Sequence, residues 1–284
     1  MFGGLETGLL ALQELGIPIE EYHTYEIHQP AIEITSKYFP FIIYHGNVVN
    51  EDWTKYKGFD LVIAGSPCQN RSRARKEDKE INSGLKGDKS SLFWEFHKAV
   101  QIIKPTYFFL ENVVSEMPDD DNTISEALGV QPKLINSNLF SAQDRERLYW
   151  SNIPLLPLPN SCDTVIKDIM ETNVDEKYFY DKPFVFNGAD KKIIATLQVN
   201  SMEMSKRVYN PNFKCGTLTR VSGGYQEKKV WDNGRVRKLT PIEYERLQTL
   251  PDNYTYGYSD NIRRSLCGNG WTKDVIKHYF KGLL

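Results

Sequence analysis

The first half of the chain alternates short apolar runs with stretches of helical periodicity. The short runs are rich in β-branched and aromatic residues and predict strands at residues 21–27, 41–48, 59–66, 106–113 and 133–140. Between them, apolar positions recur at helical spacing in residues 8–15, 30–39, 91–103 and 123–130. This order predicts an α/β fold with a doubly wound, mainly parallel sheet, whose ligands bind beyond the carboxyl ends of the strands.

The alternation stops after Trp150. Residues 151–162 contain three prolines within six positions and are typical of a connector. No helical period persists from there to about Arg237, which indicates a second, smaller lobe. A helix returns at 239–250, where Thr240 caps the start and Pro241 occupies the first helical position, and 273–284 predicts a last helix. The predicted domains are therefore 1–155, 156–237 and a returning segment, 238–284.

Composition excludes several classes of protein. The 284 residues include four cysteines, which lie far apart without the spacing of metal ligands, so neither a zinc site nor a disulfide framework is indicated. No apolar run reaches the length of a membrane span, and no secretory leader follows Met1. We expect a soluble, cytoplasmic protein without a metal.

The charge is unevenly distributed. The formal net charge is −2, yet residues 201–238 hold nine basic and three acidic side chains. Such a local surplus suits a surface that faces phosphates, and equally a solvated basic loop.

The stretch "AGSPCQNRSRARK" at 64–76 places Cys68 after Pro67 at the end of a predicted strand. Buried structural cysteines are common, but the polar and small neighbours of Cys68 favour a nucleophile at the rim where ligands bind. A free thiol is only slightly ionised at neutral pH and needs cationic neighbours. The candidate cations are Arg71, Arg73, Arg145 and Arg147.

Two other predicted strands each have an acidic residue near the carboxyl end. Glu111, in "FFLENVV" at 108–114, would share a rim with Cys68 on adjacent parallel strands, and a carboxyl among apolar residues can hold a proton for donation. Glu26 lies at the end of the predicted strand 21–27, about twenty residues after the glycines of "FGGLETG" at 2–8, where an acid can accept both ribose hydroxyls. Each could also be an ordinary paired or surface glutamate.

Five motifs in order resemble DNA (cytosine-5)-methyltransferases, the bacterial and phage members together with the animal de novo members. They are "GSPCQ" at 65–69, "ENV" at 111–113, "QDRER" at 143–147, "LTPIEYERLQTLPD" at 239–252 and "GNGW" at 268–271. The resemblance covers most of the chain outside 162–235. It implies a Rossmann-like class I methyltransferase domain with a target-recognition lobe.

The resemblance also implies S-adenosylmethionine as the methyl donor. The positions it assigns to cofactor binding are Phe2, Gly3, Gly4, Gly8, Glu26, Ile27, Asn47, Val48, Pro67, Asn269, Gly270 and Trp271. The catalytic set it implies is Cys68, which adds to cytosine C6, together with Glu111, Arg145 and Arg147, which hold the base. The substrate would be a cytosine flipped out of duplex DNA.

DNA contacts are expected in two places. After the nucleophile, Arg71, Ser72, Arg73 and Arg75 would contact DNA as a closing loop. In the second lobe, 215–229 would read the major groove, with Arg220 and Gln226 as base readers. A cognate restriction endonuclease is a further candidate partner, and a monomer is expected.

The sequence departs from the family pattern at three points. The apolar strand expected before the glycine motif is nearly absent, since the sequence begins Met1-Phe2. Asn47 replaces a common aspartate, and "NRS" follows "PCQ" in place of a less basic segment. Because every catalytic position is filled, we expect an active enzyme. Two alternatives remain. One is a transfer-RNA cytosine-5 methyltransferase, which the presence of Cys215 in the second lobe favours, and the other is an inactive DNA-binding regulatory homologue.

Overall fold

The computed structural model describes residues 1–65, 92–115 and 118–284. Within them, the helices in chain order are α1 Thr7–Glu14, α2 Gln29–Tyr38, α3 Leu92–Ile103, α4 Pro118–Leu128, α5 Ile166–Ile169, α6 Glu203–Lys206, α7 Pro241–Leu247, α8 Asp260–Asn269 and α9 Lys273–Phe280. The strands are β1 His23–Thr24, β2 Ile43–Tyr44, β3 Leu61–Gly65, β4 Tyr107–Asn112, β5 Lys133–Asn136, β6 Gln143–Asp144, β7 Glu146–Ser151, β8 Phe184–Phe186, β9 Ile193–Leu197, β10 Arg207–Tyr209, β11 Cys215–Gly216, β12 Lys229–Asp232 and β13 Arg235–Lys238.

These residues form two compact units. The first comprises Met1–Asn136, Glu146–Leu156 and His278–Leu284, and the second comprises Ser137–Arg145 and Pro157–Lys277. Residues 238–277 therefore group with the second unit, whereas the sequence pattern assigned 238–284 to the catalytic domain. The functional domain boundaries stay a prediction.

The first unit is built on a four-stranded sheet in the order β3-β4-β7-β5. β3 and β4 are parallel, while β7 runs antiparallel to both β4 and β5. β1 and β2 form a separate parallel pair. The α/β class is confirmed, but the sheet is less parallel than predicted, because β7 begins within "QDRER", in a segment where no strand was expected.

Helical spacing of apolar side chains explains the packing of α3. Phe93, Phe96, Ala99 and Ile103 recur at intervals of three or four residues and are all buried. They join a core with strand residues such as Leu110 and Trp150. Burial of one such large side chain contributes about 1.5–3 kcal/mol. The buried face of α3 therefore holds the helix against the core of the first unit.

The second unit is centred on a five-stranded sheet in the order β13-β12-β10-β9-β8. The short parallel pair of β6 and β11 belongs to the same unit. α7 begins as predicted, because the Thr240 side chain accepts a hydrogen bond from the Glu243 N–H while the Glu243 carboxylate accepts one from the Thr240 N–H.

Several element bounds differ from the sequence pattern. α4 begins at Pro118 rather than 123, and α8, at Asp260–Asn269, was not predicted. The polar first turns of both helices contain no apolar periodicity, which explains the omission. Within the described ranges, none of the helices has the length and apolar character needed to cross a bilayer.

Candidate active site

Glu111 and Arg147 form a shielded ion pair in the first unit. Glu111 is the next-to-last residue of β4, in register with Gly65 on β3 and Tyr149 on β7. Arg147 lies on β7, and its Nε is 2.9 Å from Glu111 Oε1, with side chains only 13% and 10% exposed. Low exposure strengthens the hydrogen bond and fixes both groups. The carboxyl end of β4 thus holds a carboxylate and a guanidinium at defined positions.

The end of β4 is anchored by the next residue. Asn112 is buried, and its Oδ1 accepts a hydrogen bond from the Val113 N–H at 2.8 Å. An asparagine that binds the following main-chain amide replaces the ladder where the strand stops. This turn keeps Glu111 at the strand's carboxyl end, as the "ENV" motif predicts.

The glycine motif contains two positions that favour glycine, Gly3 for lack of space and Gly4 for its backbone conformation. A Cβ on Gly3 would lie 1.9 Å from Glu6 Oε1 and 2.4 Å from Thr24 Oγ1. Gly4 has a φ of +55°, a left-handed conformation that favours glycine. Burial raises the pKa of the Glu6 carboxyl, although the Tyr22 hydroxyl, which donates to Glu6 Oε2 at 2.8 Å, acts against the rise. The motif is therefore built around an enclosed acid.

Glu26 connects the glycine motif to the segment after β1. Its Oε2 accepts from the Gly4 N–H at 2.8 Å, and its Oε1 accepts from the amides of Ile27 and His28 at 2.8 and 2.7 Å. The Phe2 N–H donates to the main-chain carbonyl of Tyr25, the residue before Glu26, at 2.8 Å. The structure thus brings Phe2, Gly4 and Glu26 together, as the family pattern implies.

Other predicted cofactor positions of the first unit lie near the ends of α1 and β2. Gly8 is buried in the first turn of α1. Val48 is buried, while Asn47 is exposed and its Oδ1 accepts from the Val49 N–H at 3.0 Å. Ile27 is 76% exposed, an unusual environment for a large aliphatic side chain beside a carboxylate.

Arg145 has a different environment from Arg147. It belongs to the second unit, is buried, and its guanidinium donates to the carbonyls of Leu218 and Gly270, both at 2.9 Å. The predicted hold on the target base stays a prediction. In the structure, the Arg145 guanidinium positions main chain.

The "GNGW" motif ends α8 in the second unit. Asn269 is exposed as the last residue of the helix, Gly270 is its C-cap, and Trp271 is half-buried. Among the predicted base readers, Arg220 is exposed, whereas the Gln226 Oε1 accepts a hydrogen bond from the Ser222 N–H at 2.8 Å. Their roles in DNA or cofactor binding stay predictions.

A third of the nine basic side chains in 201–238 are buried. Lys228, Lys229 and Arg237 are buried. Lys229 Nζ donates to three carbonyls, and burial lowers its pKa to about 8. Arg207 and Arg235 are paired with glutamates. The stretch is therefore not a continuous surface for phosphates, because a count of charges does not report burial.

The predicted nucleophile and its loop lie outside the described residues; they are Pro67, Cys68, Arg71, Ser72, Arg73 and Arg75. Among the cysteines that the structure does describe, Cys162 is partly exposed and Cys215 and Cys267 are buried. Burial raises the pKa of the Cys215 thiol to about 11, so it is a poor nucleophile at neutral pH.

Sequence reasoning missed Gln143 and Gln248. Both are fully buried, and the Gln143 Nε2 donates to the Gln248 Oε1 at 3.2 Å. The available signal was the position of Gln143 two residues before Arg145, since alternate residues of a strand share a face.

A family model described as C-5 cytosine-specific DNA methylase matches residues 1–284. The chain belongs to this family. The resemblance drawn from the five motifs is thereby confirmed.

Curated members of the family are distant relatives. Type II methyltransferase M.HhaI of Haemophilus parahaemolyticus is 26% identical over 246 residues, which cover 77% of this chain and 74% of that protein. M.HpaII of Haemophilus parainfluenzae is 25% identical over 282 residues, covering 84% and 76%. M1.ScrFI of Lactococcus lactis subsp. cremoris is 26% identical over 250 residues, covering 79% of this chain but 62% of the relative.

Solved structures support the fold. The Entamoeba histolytica methyltransferase EhMeth has a TM-score of 0.75 at 17% identity, covering 100% of this chain and 97% of that one. The S. pombe Dnmt2 methyltransferase has a TM-score of 0.71 at 16% identity, covering 100% and 96%. The Rossmann-like methyltransferase fold predicted from the motifs is confirmed.

Proposed function

We propose that this family member methylates C5 of cytosine in duplex DNA with S-adenosylmethionine as donor. The observation that supports this most directly is the Glu111–Arg147 pair, 2.9 Å apart at the carboxyl end of β4. Gly65 pairs with Glu111 on the neighbouring strand. Cys68 follows Gly65 by three residues, so the covalent chain limits the distance between the Cα atoms of Gly65 and Cys68 to about 11 Å.

The described residues of the first unit fit the proposed donor. Glu26 offers a partly exposed carboxylate for hydroxyl groups, and the exposed Ile27 beside it offers an apolar face. A Cβ placed on the left-handed Gly4 would meet no atom of the described residues within 4 Å, which leaves room for a ligand beside the main chain. When bound, the donor supplies a methyl group on a positively charged sulfonium.

The proposed chemistry assigns one role to each polar group. The Cys68 thiolate adds to C6 of cytosine, and the electron pair of the C5–C6 double bond moves towards N3. Glu111 pairs with Arg147 as a carboxylate in the structure; in the proposed complex with cytosine it carries a proton and donates it to N3, and Arg147 holds the base by a hydrogen bond. Stabilising the charge as it develops lowers the barrier.

The remaining steps restore the aromatic ring. Glu26 and Ile27 would hold the donor, which would supply the methyl group to C5 and would be left as a neutral thioether. A base removes the C5 proton, the C5–C6 double bond reforms as the Cys68 thiolate is expelled, and N3 returns its proton to the Glu111 carboxylate. A stacked cytosine cannot be reached in this way, so base flipping at a cost of a few kcal/mol is part of the proposal.

Methyl transfer from tritiated S-adenosylmethionine tests the substrate class. The chain is incubated separately with mixed-sequence duplex DNA and with transfer RNA. We expect label in DNA. Label in RNA alone would assign an RNA methyltransferase, and label in neither would support the regulatory alternative. Bisulfite sequencing of DNA from expressing cells would then identify the sequence context.

A duplex containing 5-fluorocytosine tests the nucleophile, because fluorine blocks the final elimination. The wild-type chain should form a covalent adduct that survives denaturation. Cys68→Ser should form none, whereas Cys162→Ser, which changes a cysteine outside the proposed site, should react normally. An undiminished adduct with Cys68→Ser would contradict the assignment.

A further inference from the structure

Two side chains of the "QDRER" motif hold the main chain of Leu218. Gln143 Oε1 accepts from the Leu218 N–H at 2.8 Å, and Arg145 Nη1 donates to the Leu218 carbonyl at 2.9 Å. Gln143 and Arg145 are two residues apart, so an extended backbone directs both to one side. Leu218 is thus held at its amide and its carbonyl, two residues before Arg220.

The same side chains reach the end of α8. Arg145 Nη2 donates to the Gly270 carbonyl at 2.9 Å, and Gln248 Nε2 donates to that oxygen at 3.1 Å and to the Cys267 carbonyl at 2.6 Å. Gln143 Nε2 in turn donates to Gln248 Oε1 at 3.2 Å. We call Gln143, Arg145 and Gln248 the clasp.

The two segments held by the clasp also touch directly. A Cβ on Gly268 would lie 2.2 Å from the Thr219 oxygen and 2.9 Å from the Arg220 nitrogen. A contact this close to backbone atoms requires glycine. Movement of 268–271 therefore cannot leave 218–220 undisturbed, because neither a gap nor a flexible side chain separates them.

We propose that Gln143 and Arg145 are positioning residues that couple segment 268–271 to segment 218–220. The inference rests on the proposed function, together with the roles predicted from the sequence for 269–271 in binding the methyl donor and for Arg220 in reading DNA. Buried hydrogen bonds between charged or amide groups and carbonyls transmit order from one segment to the other. Binding of the donor then orders the DNA-reading segment, and by linkage DNA strengthens donor binding by the same factor.

Hydrogen exchange of the full chain tests this coupling without knowledge of the DNA sequence. The probe is S-adenosylhomocysteine, the demethylated form of the proposed donor. In the wild type we expect protection of 2–8 and slower amide exchange in 217–226, by about fivefold or more, the lower range of coupling between two sites. Arg145→Gln should abolish the slowing at 217–226 while 2–8 stays protected.

Two further variants separate coupling from general destabilisation. Arg145→Lys keeps the charge with fewer hydrogen-bond donors and replaces Arg145→Gln in the test if that variant does not fold. It should retain part of the slower amide exchange at 217–226. Arg235→Gln removes an exposed arginine that pairs with Glu176 in the same unit, and should behave as wild type. A purely structural role would raise exchange across the whole second unit in both the free and bound states.

The outcomes distinguish the two proposals. Protection of 2–8 with unchanged exchange at 217–226 in the wild type would overturn the coupling and leave the proposed function standing. Equal slowing in wild type and folded Arg145→Gln would also overturn it. Absence of protection in every peptide at saturating probe would contradict the donor assignment, and the coupling with it.

Discussion

At the scale of single residues, Glu111 is a described residue to which the proposed mechanism assigns proton donation. Glu111→Gln keeps an acceptor for the Arg147 Nε but removes the acid. Loss of a positioned general acid lowers rates by about 10²–10⁴-fold. We therefore expect methyl transfer to fall by at least about 10²-fold with the fold retained, measured as initial rates beside a thermal unfolding curve.

The neighbouring Glu146 provides a matched control. It is exposed on the same strand as Arg147, and Glu146→Gln should retain the wild-type rate. Equal rates for Glu111→Gln and wild type would remove Glu111 from the mechanism.

Lys229 predicts a pH dependence of stability. Its pKa is about 8 in the folded chain against an ordinary 10.5. Between these values the unfolded chain binds more protons, so the contribution of Lys229 to the free energy of unfolding rises as pH increases from about 8 to 10.5. Urea unfolding of wild type and Lys229→Met at several pH values should show this difference growing in favour of the wild type.

The exposed Lys182 is the control for that series. Lys182→Met should change stability by a constant small amount across the same pH range. A flat difference for Lys229→Met would show that the Lys229 ammonium is as well solvated as that of Lys182.

At the scale of elements, α7 has a buried ion pair at its start and a partly exposed ion pair at its end. Glu243 and Arg237 are fully buried, 2.7 Å apart, and Glu243 also caps the Thr240 amide. Glu243→Ala removes the carboxylate that both Nη groups of Arg237 contact and leaves only the Asp232 carboxylate at Nε, which should cost about 3–5 kcal/mol. Asp252→Ala breaks the Arg246 pair, whose side chains are 31% and 46% exposed, and should cost about 0–1 kcal/mol.

Urea unfolding midpoints of the two alanine variants check this contrast. Similar losses for both would mean that burial does not set the strength of these pairs. Both substitutions remove one carboxylate from the same region of the second unit, so they share the change in net charge.

At the scale of the whole molecule, cysteine reactivity reports packing. Cys215 and Cys267 are buried and Cys162 is partly exposed. In a Cys68→Ser background, iodoacetamide should label Cys162 in the folded chain and Cys215 and Cys267 only on unfolding, since buried thiols are inert. Peptide mass spectrometry, with a fully denatured sample as control, measures the order. Rapid labelling of Cys215 in the folded chain would contradict the packing of the second unit.

Much of the fold followed from local patterns. The strands that contain Gly65 and Glu111 and the helix at Leu92–Ile103 were predicted, because apolar periodicity is a property of neighbouring residues. β7 and α8 were not. Their polar side chains, among them Arg147 and Arg263, are satisfied by partners distant in sequence, and such pairing leaves no periodic signal.

The candidate site divides in the same way. The glycine motif and Glu26 were recognised from type and spacing, and the structure joins them through the Gly4 N–H. The use of Arg145 on main-chain carbonyls was not foreseen. Arg145 and Arg147 have the same side chain two residues apart, and only their surroundings distinguish them.

The order of the motifs by itself determined the family, because residue identities and spacing are written in the chain whatever its packing. Tertiary structure alone decided which charges face solvent. Lys228, Lys229 and Arg237 read as a basic surface in the sequence and lie inside the second unit. The physical reason is that charge is a property of a residue, whereas burial and pairing depend on strand register and on contacts between elements far apart in the chain.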